Sequence, residues 1–474
     1  MMEYIMNPDF KPSSFLEHVN ESLKKQPEIS SEFNRELKAL PENRAIESIV
    51  LFKDKISNEV KRNIDSKDPE KRVDGVKALR SASIDNKENM LHYLKKKMNE
   101  LIERDIHSKS IKHFPALNAI AISVNSKLAY ELATREDVVA IIKNYDTHLI
   151  EPKRTNIKEI VDQEVNEKIS WGLKRMSIEK MWDEGLDGKS IKIGHLDSGI
   201  HENHGELKGK VTEWAAFSPQ GEELVGCPPY DSGSHGTHTA GIMVGGDLSG
   251  IKIGIAPEAK LVSGMVLHSN KGKMAQLIAG IEWAADQDVH VLNLSLGFDV
   301  YIEKFELITA RLISAGIFPS FAIGNQYHGN TSSPGSCELC CSVGAIDYDG
   351  KVPEFSSGAT LSHYDPISGS LNHVVKPDIV APGVAVLSCV PPYTGGLTIN
   401  NNDYDYYDGT SMATPFISGI VALLIGEFGS SKTVHDIMRA LYKNTKSRPS
   451  GQKDNRWGFG LVDAVETLKD LRNP

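Results

Sequence analysis

The stretch Ile191-Lys192-Ile193-Gly194-His195-Leu196-Asp197-Ser198-Gly199-Ile200 decides the fold. Its first six residues make a strand-length, largely apolar run that stops on an acid followed by a glycine turn. Comparable runs recur at Lys260 to Val266, Val289 to Leu294 and Ile317 to Ile323, with helical stretches such as Ala275 to Asp286 and Glu303 to Ala315 between them. Strands alternating with helices in this way predict an α/β fold: a doubly wound, mostly parallel sheet with helices on both faces. In such sheets the polar groups that do chemistry gather beyond the carboxyl ends of the strands, and Asp197 sits at such an end.

Outward from that stretch the composition splits in two. Only Gly75 of the 39 glycines precedes Gly172. Charge divides at nearly the same place: residues 1–158 carry 28 Lys+Arg against 25 Asp+Glu, leaving 25 against 38 for the remainder. A chain of 474 residues suits more than one domain at roughly 100–200 residues each, and these two shifts put the boundary near residue 160. An acidic, glycine-rich half excludes a nucleic-acid binder, which needs clustered cations for phosphate contacts. A membrane role is not expected either, because the longest apolar stretch, Phe416 to Ile425, is short and interrupted by Ser418 and Gly419.

The start, Met1 to Asp9, carries acids and a proline and shows no secretory leader pattern. Five cysteines, an odd number, do not make a disulfide framework. Cys337-x-x-Cys340-Cys341 offers half a zinc site, but no second Cys/His pair stands at a matching spacing, so Leu339 to Val343 reads as a buried strand. A cytoplasmic address is expected, with leaderless export left open.

The front region predicts a strand at Ile46 to Phe52, an amphipathic helix over 87–106 and a strand at Asn118 to Val124. A helix capped by Ser126 and running to Arg135, and a last strand at Val138 to Lys143, complete a small α/β sandwich. Residues 1–40 add helices without visible chemistry, and His92, His107 and His113 are read as surface or packing residues.

Three short motifs carry chemistry. Asp197 alone could be a loop-capping acid. His235 opens Ser234-His235-Gly236-Thr237-His238-Thr239-Ala240-Gly241, where two histidines three apart could hold a metal. No third ligand is evident, and Gly236 and Gly241 point to close helix packing. Ser411, in Asp408-Gly409-Thr410-Ser411-Met412-Ala413-Thr414-Pro415, precedes the apolar helix Phe416 to Glu427 and could be only its cap. Together the three become specific. A serine hydroxyl is a weak nucleophile until a base takes its proton, and the base needs a carboxylate to fix its tautomer. The order Asp197, His235, Ser411 is one of the chain orders in which that triad occurs.

At these motifs the chain resembles the subtilases, the subtilisin-like serine peptidases, over about residues 170–466, from Trp171-Gly172 to Gly458-Phe459-Gly460-Leu461-Val462-Asp463-Ala464. The resemblance implies a triad of Asp197, His235 and Ser411, with Asn325 of Phe321-Ala322-Ile323-Gly324-Asn325 donating to the oxyanion. It also implies that Ser295-Leu296-Gly297 pairs with the substrate backbone and walls the primary pocket, and that Lys271-Gly272-Lys273 is the opposite pairing strand. Ser332-Ser333-Pro334-Gly335 matches the pocket base.

The front region is similar to the β-α-β-β-α-β propeptide that such enzymes carry, with an enlarged helical insertion. The expected division is a helical extension at 1–40, an inhibitory propeptide-like α+β domain at 41–145, a linker with a processing site at 146–168, and the catalytic domain at 169–474. The tail from Tyr145 to Lys168, with Lys153 and Arg154 suiting an acidic partner, is expected to thread the groove and be cut.

Departures from the family are also visible. Phe298 replaces a small residue and is expected to narrow the pocket mouth. Tyr393 to Tyr407 is an insertion, read as a solvated loop in preference to a metal-binding or substrate-contacting one. Gly246-Asp247-Leu248-Ser249-Gly250, where secreted relatives bind calcium, offers one carboxylate, so a structural Ca²⁺ is left open with no assigned site. The expected activity is serine endopeptidase through an acyl-enzyme, made as a self-inhibited zymogen and needing no cofactor for the chemistry. Its expected partners are a peptide or protein substrate and its own N-terminal domain. General proteolysis and maturation of a dedicated precursor peptide remain equal options. The alternative is a catalytically silent peptide-binding pseudoprotease.

Overall fold

The computed structural model describes residues 6, 10–24, 29–41, 44–53, 57–66, 68–82, 87–101, 111–149, 158–365, 370–392, 394, 396–446 and 452–473. The back region is built on a nine-stranded sheet. Its order is Thr445–Lys446, Leu461–Val462, Ile379–Pro382, Cys341–Ile346, Phe318–Ala322, Val291–Leu294, Lys192–Asp197, Lys260–Met265, Val211–Ala216. All neighbours run parallel except the first pair. Central parallel strands are covered on both faces, which is why Val291–Leu294 and Phe318–Ala322 are wholly buried. The doubly wound α/β fold expected from the alternation is what forms.

The helix Thr410–Phe428 runs through the middle of this domain. The segment Thr410–Ser431 is apolar enough for a membrane span by composition, with mean hydropathy 1.6, yet 78% of that window is buried inside the protein. The cysteine segment differs in detail from its expected strand, which begins at Cys341. Cys337 and Cys340 lie buried just ahead of it. Among the described residues no cluster of three His, Cys, Asp or Glu could hold a metal.

The front region forms a four-stranded antiparallel sheet ordered Lys112–Phe114, Ala119–Val124, Ile46–Phe52, Val138–Lys143. The strand Lys112–Phe114 adds a member absent from the residue-by-residue reading. Three helices, Asn58–Ile64, Pro69–Ala82 and Lys87–Leu101, follow the first strand. The last of these covers most of the expected 87–106, of which 102–106 lie outside the described residues. The next helix spans Ser126–Ala133. Its cap is Asn125, whose side chain accepts from Leu128 N at 2.9 Å, and not Ser126, because the acceptor must stand one residue before the first helical turn.

Alternation along the first strand explains how the two regions join. Val50 and Phe52 face the sheet's own helices, packing with Leu128, Leu132 and Phe33. Ile49 and Leu51 point the other way, into the core shared with the back region. At that junction Glu282 accepts from Ala116 N at 2.6 Å and Leu117 N at 2.9 Å, and Arg311 Nη1 donates to Ala116 O at 2.6 Å. Asn144 Oδ1 accepts from Ala275 N at 2.8 Å, satisfying a free N–H at the start of the helix Met274–Asp286.

Candidate active site

Parallel strands deliver the site. Asp197 is the last residue of its strand, His235 the first of the helix His235–Val244, and Ser411 the second of the helix Thr410–Phe428. Ser411 is therefore not the cap of its helix; Gly409 holds that position. Close approach of these elements needs glycine: a Cβ on Gly236 would stand 2.0 Å from Gly199 O, and one on Gly241 2.2 Å from Ser388 Oγ.

His235 Nδ1 lies 2.8 Å from Asp197 Oδ1, with both side chains buried. The carboxylate accepts there, so Nδ1 carries the proton and Nε2 keeps its lone pair. Nε2 is buried and has no hydrogen-bond partner among the described residues. Asp197 Oδ1 also accepts from Ser198 N at 2.7 Å, and Oδ2 from Thr239 Oγ1 at 3.3 Å. Burial alone would raise the Asp197 pKa, but the His235 charge and hydrogen bond, with the Ser198 N–H, hold it below the usual carboxylate range.

Ser411 Oγ donates to Ser295 O at 3.0 Å, and Ser295 Oγ donates back to Ser411 O at 3.0 Å. The nucleophile candidate is thus tied to the groove wall. Asn325 Oδ1 accepts from Thr410 N at 3.0 Å and Thr410 Oγ1 at 3.1 Å, which fixes the orientation of the amide, with Nδ2 as its donor end. Nδ2 sits 3.1 Å from where a Cβ on Gly409 would lie, so glycine keeps the space beside it clear.

The strand Asp146–Leu149 lies between two edges. It pairs antiparallel with Leu296–Gly297 on one side, Leu149 opposite Leu296 and His148 opposite Gly297. On the other it pairs with Lys271–Lys273, His148 opposite Lys271, Thr147 opposite Gly272 and Asp146 opposite Lys273. Leu149 N donates to Asn270 O at 3.0 Å, and Thr147 Oγ1 to Gly297 O at 3.0 Å. Polar contacts frame the strand: an ion pair of Lys273 with Asp146 at 2.6 Å, and His148 Nε2 at 3.2 Å from Asp299 Oδ1. Residues 150–157, which include Lys153 and Arg154, lie outside the described residues.

Ser333 and Phe298 exchange backbone hydrogen bonds of 2.8 and 3.1 Å. Ser332 Oγ donates to Gln326 Oε1 at 2.9 Å, and Ser333 Oγ accepts from Ile302 N at 2.8 Å. The Phe298 ring is fully buried beside Phe305, centroids 6.4 Å apart, so it packs in the core and not at an exposed rim.

Other expectations are corrected. The insertion is no solvated loop: Leu397–Ile399 and Asn402–Tyr407 extend a three-stranded antiparallel sheet from Val386–Val390. Its alternation turns Tyr404 and Tyr406 inward, where Tyr404 donates to Glu206 Oε1 at 2.9 Å and Tyr406 to Glu164 Oε2 at 2.7 Å. Tyr407 stacks on His238 with centroids 4.3 Å apart. His238 Nε2 donates to Val386 O at 3.0 Å, and burial pushes its pKa down to about 3. His238 is thus held between the Tyr407 ring and the Val386 carbonyl.

Glu206, which sequence reasoning missed, accepts from Gly246 N at 2.8 Å and Ser249 N at 3.3 Å. A protein carboxylate thus holds the loop Gly246 to Gly250. Glu164 accepts from Trp171 N at 2.7 Å, and burial raises its pKa to about 7.

Fold and site together define a serine peptidase on a doubly wound sheet. The chain belongs to the subtilase family, whose sequence profile matches residues 188–460. Among curated relatives it is 29% identical over 321 residues to subtilisin E of Bacillus subtilis (strain 168), covering 67% of this chain and 72% of that protein. It is 30% identical over 374 residues to M-protease of Shouchella clausii (strain KSM-K16), covering 76% and 88%. The crystal structure of fervidolysin from Fervidobacterium pennivorans, a keratinolytic enzyme related to subtilisin, shares the fold with a TM-score of 0.60 at 20% identity. That match takes in 90% of this chain and 61% of the other.

Proposed function

We propose that the protein hydrolyses peptide bonds with Ser411 as nucleophile and is made as a zymogen blocked by its own front region. The observation that carries this is the strand Asp146–Leu149, hydrogen-bonded between two groove edges as an extended substrate would be. In the reaction Ser411 Oγ leaves its bond to Ser295 O, gives its proton to His235 Nε2 and attacks the scissile carbonyl. Asp197 keeps the ring in the Nδ1–H tautomer and stabilises the imidazolium. Asn325 Nδ2 and the Ser411 N–H donate to the oxyanion. His235 then returns the proton to the leaving amine, and a water repeats the sequence on the acyl-enzyme. Side chains supply every proton transfer, so the chemistry needs no cofactor.

The antiparallel register supports a cut site. Leu149 stands opposite Leu296, and Ser295, next along the wall, holds the Ser411 hydroxyl. Counting one residue on along the sequence, we predict cleavage between Ile150 and Glu151. The front region would then act as intramolecular inhibitor, clamped by Glu282 and Arg311. Five thiols outside any disulfide suit work in a reducing cytoplasm.

Intact-mass measurement of purified protein tests the reading. Wild type is expected to yield a chain beginning at Glu151, while Ser411→Ala stays uncut. Equal masses for the two would remove autoprocessing.

A further inference from the structure

We propose that His195 is a positioning residue of the catalytic machinery, acting on Asp197 through Thr239. The inference rests on the triad reading above. His195 lies on the same strand as Asp197, two residues earlier, and is fully buried. Its Nδ1 is 3.0 Å from Ser263 Oγ, and its Nε2 is 3.0 Å from Thr239 Oγ1. Thr239 sits on the helix that His235 begins, and its hydroxyl is 3.3 Å from Asp197 Oδ2 and 3.1 Å from Gly236 O.

Proton counting chooses the tautomer. If Nδ1 carried the proton, it would donate to Ser263 Oγ, and the Ser263 hydroxyl proton would be buried without an acceptor among the described residues. That arrangement carries the full desolvation cost of the hydroxyl. With the proton on Nε2, Ser263 donates to Nδ1 and Nε2–H donates to Thr239 Oγ1. The Thr239 proton is then turned away from His195, toward Asp197 Oδ2 and Gly236 O. Of these two acceptors the ionised carboxylate makes the stronger bond. Every donor in the relay Ser263–His195–Thr239–Asp197 then has an acceptor.

The relay completes the carboxylate's environment. Oδ1 is held by Ser198 N and His235 Nδ1, and Oδ2 by Thr239. A carboxylate gripped at both oxygens cannot rotate away from the imidazole it orients. The ionisable groups around His195 are Asp197, Asp231 and His235, and burial pushes its own pKa down, so the ring stays neutral and keeps both a donor and an acceptor.

The test compares His195→Leu, His195→Gln, Thr239→Val and the Leu/Val double variant, each in matured enzyme whose sites are counted by fluorophosphonate titration. His195→Leu is expected to lower kcat about three- to tenfold, the scale of one buried hydrogen bond, with KM unchanged. The acid limb of its kcat/KM profile should move to higher pH, because a carboxylate with fewer donors favours the protonated imidazole. Gln offers an N–H and a carbonyl along the same path and is expected to restore kcat to within about twofold. Thr239→Val should reproduce the Leu loss, and the double variant should lose no more than either single. Additive losses, or an unmoved acid limb in both His195→Leu and Thr239→Val, would overturn the proposal. If His195→Leu does not fold, the Gln and Val variants carry the same comparison. Absence of titratable Ser411 in wild type would instead defeat the triad reading itself.

Discussion

Asp146 and Lys273 stand opposite each other on paired antiparallel strands, carboxylate to ammonium at 2.6 Å. The pair ties the strand Asp146–Leu149 to the edge strand Lys271–Lys273, yet the Asp146 carboxylate is 84% exposed, so its contribution is that of a surface ion pair. Lys273→Glu is predicted to speed loss of the front region about two- to fivefold, more at low salt than at high. Adding Asp146→Lys should return the rate to wild type. A time course of processed chain at two ionic strengths reads both effects, and a Lys273→Glu rate equal to wild type at low salt would show the pair to be idle.

Asn325 is oriented through its oxygen, and its amide nitrogen is the oxyanion donor we propose. Asn325→Ala is predicted to lower kcat about 10²–10³-fold with little change in KM, the loss seen when this donor is removed from subtilisin. Steady-state kinetics on one peptide substrate suffice; an unchanged kcat would take Asn325 out of the mechanism.

Glu164 gives a pH dependence of stability. Burial first, against donors from Trp171 N and Tyr406, raises its folded-state pKa from 4.5 to about 7. The folded state therefore binds the proton more tightly than the unfolded chain, so stability is present in full below pH 4.5 and is lost as pH rises through 7. Glu164→Gln removes the ionisation and is predicted to melt higher than wild type at pH 8 and close to it at pH 5. Parallel thermal melts of Ser411→Ala backgrounds, which avoid self-digestion, make the comparison; equal Tm differences at both pH values would refute it.

How much of this was legible in the sequence depends on distance along the chain. Asp197, His235 and Ser411 could be found because each sits in a local motif whose small neighbours are demanded by close backbone approach, as the 2.0 Å clearance at Gly236 makes plain. Strand positions were readable because parallel strands buried on both faces are continuous apolar runs. The role of His195 was not: its partners Ser263 and Thr239 are 68 and 44 residues away, and nothing local distinguishes it from a core histidine. Glu206 was invisible for the same reason, since its acceptor role depends on a loop 40 residues on. The insertion misled because Asn, Asp and Tyr read as polar composition. Its two-residue alternation, with Tyr404 and Tyr406 inward, was the signal that could have identified a strand.

The central claim, that Ser411 is an activated nucleophile, meets its most direct test in a fluorophosphonate probe. Labelling of the processed protein followed by peptide mapping is predicted to place one adduct on Ser411, with labelling lost in His235→Ala and absent from the unprocessed Ser411→Ala chain. Processed wild-type protein that takes up no probe at Ser411 would contradict the account and leave a peptide-binding protein without catalysis.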